Sequence, residues 1–203
     1  LLAAFSQASF IHVRDGREPI EHARFNESFL MHASTSPFYP IIASNEISAS
    51  MMDGASGIAL TTESIREAVA FRQTVGRIRR QYAENGDWFF TAWNPTEVTD
   101  PATNERIAFE DAPEELLISD PDCWVLHPGE EWHGFPNLED GYCMLDPIKV
   151  TIAAPGIATD GSFEKSGIPA SIIAAYLVRH GFEYEKTQDF TVLFLFSIGL
   201  RTG

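Results

Sequence analysis

The chain has 203 residues, 44% of them hydrophobic, which suits one large domain or two small ones with a real core and excludes a disordered segment. Its formal charge of −15, from 29 acidic residues against 14 Lys and Arg, sets a field that repels nucleic acid and anionic membranes and suits cationic partners or substrates. No apolar run reaches the roughly 18 residues of a membrane span and no basic, cleavable leader pattern opens the sequence, so a soluble, cytoplasmic protein is expected.

In chain order, Leu1–Phe5 reads as a helical turn and Phe10–Val13 as a short strand, followed by a surface loop at Asp15–Pro19. His12 and His22 have no ligand-like neighbours in sequence and are expected to be structural or exposed. The apolar run Phe25–Met31 then delivers three consecutive hydroxyls, Ser34, Thr35 and Ser36, into a turn fixed by Pro37. Hydroxyls and backbone N–H groups crowded before a helix start can hold an oxyanion such as phosphate; the alternative is an ordinary turn and cap. Ser44-Asn45-Glu46 reads as the N-terminus of a helix with Ile47, Met51 and Met52 on its apolar face, closed by Gly54 and Gly57, whose loop is the candidate boundary between two subdomains.

Thr61-Thr62 opens the clearest helix. Ile65, Ala68, Phe71, Val75, Ile78 and Tyr82 recur at three- and four-residue steps, which places them on one face. Glu63 and Glu67 lie early and Arg77, Arg79 and Arg80 late, in accord with the helix dipole, and Asn85-Gly86 stops it. The arginine cluster is either a solvated last turn or a partner-binding patch. Trp88–Trp93 is an aromatic, strand-like run suited to a core. From Asn94 to Pro121 the chain is polar and broken by Pro95, Pro101, Pro113 and Pro121, which predicts an extended excursion without a packed element.

His127, Glu130, Glu131 and His133 crowd together, but Pro128 and Gly129 break the helix that a His-Glu-x-x-His metal site requires, so packing or orientation is expected there and no metal. Cys123 and Cys143 match neither a disulfide framework nor a metal site and read as reduced thiols. A strand over Asp146–Ala154 and a helix starting at Pro169 follow. Ile172, Ile173, Tyr176 and Leu177 form that helix's stripe, and His180-Gly181 ends it. An alternating strand at Glu183–Thr187 and a buried central strand at Thr191–Ile198 complete a small α/β layer.

Several segments, taken together, resemble the bacterial ornithine, lysine and arginine decarboxylases that use pyridoxal 5′-phosphate (PLP). They are Leu1–Ser9 with Ile11-His12-Val13, Met31–Pro37, Trp132–Phe135, Leu145–Val150, Gly167–Ala170 and Leu193–Gly199, in family order along nearly the whole chain. The resemblance implies an α/β fold of the aspartate-aminotransferase type (fold type I). Residues 1–53 would be the C-terminal part of the large PLP-binding domain, and residues 54–203 a small α/β domain truncated at its C-terminal side.

The same resemblance places the PLP-anchoring lysine just upstream of Leu1. Lys149, Lys165 and Lys186 are the only lysines and none takes that position, so the chain is expected to be a fragment of a longer enzyme with no catalytic residue of its own. Ser34, Thr35 and Ser36 match a segment that reaches the PLP phosphate of a neighbouring subunit, which implies a homodimer with shared active sites and, in the family, rings of dimers. Glu185 matches a position that faces the distal cation of a basic amino-acid substrate. Glu185 points to the lysine and ornithine branches, whereas Asn94–Trp124 resembles the arginine branch over more residues, which favours arginine. A truncated, non-catalytic subunit that pairs with an intact partner is the alternative of another class.

Overall fold

The computed structural model describes residues 9–33, 36–157 and 161–199, which fall into two compact units, Leu1–Ala59 and Leu60–Gly203. The first unit is helical. Helix α1 spans His22–His32 and α2 spans Tyr39–Met52. Phe10–Val13, expected as a strand, is irregular and exposed; a strand needs hydrogen-bonding partners, and no described residue pairs with it. Helix α2 begins five residues before the expected Ser44, because Pro40 in its first turn supplies a preset φ and lacks only an N–H that would have had no acceptor. Ser44 instead lies inside the helix, buried, its hydroxyl donating to the carbonyl of Ile41 at 2.8 Å.

Helix α2 ends at Met52, beside Gly54 as expected, but the glycines make a tight corner and not a loop: helix α3 runs from Gly54 to Glu84 and so begins before the expected start at Thr61-Thr62. Gly54 takes φ +62°, and a Cβ on Gly57 would collide with the carbonyl of Met52. The other end falls as expected, with Gly86 at φ +75° donating its N–H to Ala83.

The second unit has two cores, and α3 serves both. A four-stranded antiparallel sheet has the order β1 (Thr91–Ala92), β4 (Lys149–Ala153), β6 (Thr191–Leu195), β5 (Lys186–Thr187). Strands β4 and β6 pair over five residues from Lys149↔Leu195 to Ala153↔Thr191. Ala68 and Val75 of α3 meet Val150 and Ile152 of this sheet, with Phe71 packed between Phe194 and Phe196 at 5.5 and 5.4 Å. Of the aromatic run only Thr91–Ala92 is strand; Phe89 and Phe90 pack on this core while Trp88 is exposed.

The second core overturns the extended excursion expected over 94–121. Strands β2 (Glu97–Thr99) and β3 (Arg106–Ala108) form a hairpin, a short 3₁₀ turn follows at Phe109–Asp111, and α4 spans Glu114–Ser119. Val98, Phe109, Leu117, Trp124, Trp132 and Val69 of α3 are buried together. Prolines and polar residues mark the corners of this lobe, while one apolar side chain per short element fills it. Full burial of a residue such as Leu117 contributes on the order of 2 kcal/mol.

Helix α5 spans Ala170–Arg179 after Pro169, as expected, but its buried face is Ala170 and Ala174. Ile172 and Tyr176 of the expected stripe are exposed, because the helix approaches the sheet through its alanines. The expected Glu183–Thr187 strand shrinks to Lys186–Thr187, extended by one bond from Glu185 N–H to the Leu193 carbonyl at 2.8 Å. Strand β6 lies between two neighbours, yet only Val192 is fully buried.

Candidate functional site

In the first unit, the segment that carries the three hydroxyls leads directly into α2. Ser36 is exposed and lies three residues before Tyr39, the first residue of that helix; Ser34 and Thr35 lie outside the described residues. Phe38 caps α2 without a side-chain hydrogen bond. The chemistry of that donor set, hydroxyls ahead of a helix N-terminus, fits a phosphate group.

Glu185 lies in the second unit, exposed, at the mouth of the edge strand β5. It is not among the residues that line a groove of that unit. This groove, about 1290 Å³, is walled by Arg72, Trp93, Asn94, Trp132, Thr151 and Gly167 among others.

Sequence reasoning missed Arg72. It is 1% exposed on the core side of α3, one turn after Ala68. Its guanidinium donates to the carbonyls of Trp93 at 3.0 Å, Lys149 at 2.8 Å and Pro147 at 3.4 Å, and lies 5.4 Å from the centre of the Trp124 ring. It therefore sits at the seam where α3, the sheet and the lobe meet. Burial lowers its pKa to about 9 while Asp146 opposes the shift, and the group stays charged at neutral pH. Among the described residues, neither its Nε nor Oδ1 of Asn94 has a hydrogen-bond partner. The signal in the sequence is a cation at the spacing Ala68-Arg72-Val75, inside a stripe that should be apolar.

Arg77, Arg79 and Arg80 of α3 are exposed, and Arg77 and Arg80 also bind the lobe. Arg80 makes a two-pronged contact with Asp111 at 2.7 and 2.8 Å, Arg77 donates to the Glu110 carbonyl at 3.0 Å, and Arg66 reaches Glu114 at 2.6 Å. The helix thus holds the Phe109–Glu115 segment from outside, and buried Gln73 holds it from inside through the carbonyls of Phe109 and Ala112. Cys123 is buried, and burial with Asp120 and Asp122 pushes its thiol up to about 11, which makes it a poor nucleophile.

Within His127–Phe135, Pro128, Glu131 and Phe135 are exposed. Trp132 and His133 are buried, and Trp132 meets Trp93 edge to face at 5.2 Å. No group of three His, Cys, Asp or Glu among the described residues is arranged to hold a metal, and no described helix is long and apolar enough to cross a membrane.

The antiparallel sheet and the helices packed on it make the second unit mixed α/β. A sequence model described as "Orn/Lys/Arg decarboxylase, major domain" matches residues 1–203, and the chain belongs to this family. It is 53% identical over 203 residues to the biodegradative arginine decarboxylase of Escherichia coli (strain K12), covering 100% of this chain and 27% of that protein. It is 44% identical over 200 residues to the lysine decarboxylase of Hafnia alvei, covering 98% of this chain and 24% of that protein. Among solved structures, lysine decarboxylase A from Pseudomonas aeruginosa superposes with a TM-score of 0.77 at 41% identity, over 100% of this chain and 25% of that one. The chain spans about a quarter of the length of the relatives it matches.

Proposed function

We propose that the protein to which this chain belongs decarboxylates a basic amino acid, and that the substrate is arginine, converted to agmatine and CO₂ in the cytoplasm. The observation that carries this reading is the 53% identity to an arginine decarboxylase over the whole chain, against 44% for the lysine enzyme of Hafnia alvei. The lobe over Asn94–Trp124, which resembles the arginine branch, supports it.

PLP, when bound, supplies the electron sink that lets a carboxylate leave as CO₂. On this reading residues 1–53 complete a PLP-binding domain, and Ser34, Thr35 and Ser36 donate hydrogen bonds to the phosphate of the cofactor in a neighbouring subunit. Glu185 then pairs with the distal cation of the substrate. A charge-assisted bond of that kind strengthens as the site closes and water leaves. A planar guanidinium takes a two-pronged contact from a carboxylate, whereas an ammonium takes a single point contact.

The test is CO₂ release by the full-length protein from L-arginine, L-lysine and L-ornithine, with PLP supplied. Arginine as the best substrate is expected. Preferential turnover of lysine or ornithine moves the assignment to that branch, and no turnover of any of the three favours a subunit that only pairs with an intact partner.

A further inference from the structure

The segment between Val125 and Met144 is a long loop closed on itself. Its ends are tied by Leu126 N–H to the Cys143 carbonyl at 3.1 Å and Leu145 N–H to the Trp124 carbonyl at 2.7 Å. Across its middle, His127 Nδ1 meets Asp140 Oδ1 at 2.8 Å. The carbonyl of the same His127 accepts from Nε2 of buried His133 at 2.9 Å, and Nδ1 of His133 accepts from the N–H of Phe135 at 3.0 Å. These two bonds fix His133 as the tautomer with its proton on Nε2.

Two further bonds, Gly129 N–H to the Phe135 carbonyl and Gly134 N–H to the Glu130 carbonyl, both at 3.1 Å, close the turn. Glu130 also accepts from the indole N–H of Trp132 at 2.7 Å. One chain of contacts thus runs from Asp140 through His127 and His133 to Trp132, which packs on Trp93 and walls the groove of this unit.

We propose that His127 and Asp140 form a proton-tightened clasp that seats Trp132 against the groove in acid and loosens it as the pH rises. The charged and titratable groups facing His127 are Asp140, Asp122 with its Oδ1 3.8 Å from Nε2, and Glu130; all are acidic and all favour the imidazolium. The Asp140 hydrogen bond accordingly raises the His127 pKa above its ordinary value. A raised pKa in the folded state means that the clasp is at full strength below the ordinary histidine value of about 6.5 and weakens as the pH rises through the raised one. His127 is 40% exposed at its side chain, so the effect is a local loosening and not unfolding.

Hydrogen–deuterium exchange read by mass spectrometry on the full-length protein tests this, with protection factors corrected for intrinsic exchange. Peptides spanning 127–135 are expected to lose protection between about pH 5 and about pH 8, while peptides of β4 and β6 do not. Asp140→Asn and, separately, His127→Asn should each flatten that pH dependence. His133→Gln, which keeps one donor and one acceptor, should retain it, whereas His133→Phe should lower protection at every pH. An unchanged pH profile in both Asp140→Asn and His127→Asn overturns the proposal, as does a wild-type loop whose protection does not vary with pH.

Discussion

Among the described residues, exposed large apolar side chains are far denser in the first unit of this chain than in the second. In Leu1–Ala59, Ile11, Phe29, Leu30, Met31, Ile42 and Ile47 are all exposed, and among the described residues only Ser44 and Gly57 are buried. In Leu60–Gly203, sheet, lobe and α3 enclose two cores, with fully buried side chains as large as Trp124. Helices α1 and α2 bury almost none of their side chains among the described residues, whereas the second unit is held by contacts far apart in sequence. Isolated helices of about 11–14 residues are marginal in water, so α1 and α2 gain little stability from burial within their own unit.

The strongest way to break this contrast is to separate its terms. Residues 60–203 expressed alone should unfold in urea as one cooperative transition, and residues 1–59 should melt without one; a cooperative transition in 1–59 would erase the distinction. Within the second unit, Trp124→Ala should cost about 3–5 kcal/mol by the same urea titration, because it empties the centre of the lobe and removes the ring beside Arg72.

Arg72→Met keeps much of the side chain's volume but leaves the carbonyls of Trp93, Pro147 and Lys149 without their donor, with an expected loss of about 1–3 kcal/mol. A neutral result would mean that the seam is held by packing alone. Asp111→Asn is the smallest change, a slight fall in urea midpoint, since the Arg80–Asp111 pair is exposed. Its hydrogen bond to Arg80 lowers the Asp111 pKa, so its contribution is present above the ordinary aspartate value of about 3.9 and lost as the pH falls through the lowered one. Wild type and Asp111→Asn should therefore converge in strong acid.

What was legible in the sequence follows the same contrast. The end of α3, strand β4 and the start of α5 carry local signals, a glycine stop, an apolar run and a proline, and each falls where those signals put it. The lobe over 94–145 was illegible because its elements are three to six residues long, too short for any period to repeat. Arg72 was illegible for a different reason: its partners are carbonyls 21 to 77 residues away, which no local pattern announces. Of the candidate site, the three hydroxyls before Pro37 were legible as a possible oxyanion cradle, whereas their role at the PLP phosphate and the role of Glu185 came from likeness to a family; Ser36 and Glu185 are both exposed.

Arg72 has one more implication, for inheritance. Every acceptor it uses belongs to the main chain, so exchanging the side chains at Trp93, Pro147 or Lys149 would leave its hydrogen bonds untouched so long as the path of the chain is kept. The arginine would then stay fixed across descendants of this sequence while its acceptor positions drift independently, and methods that infer proximity from paired substitutions would overlook the joint that holds the second unit together.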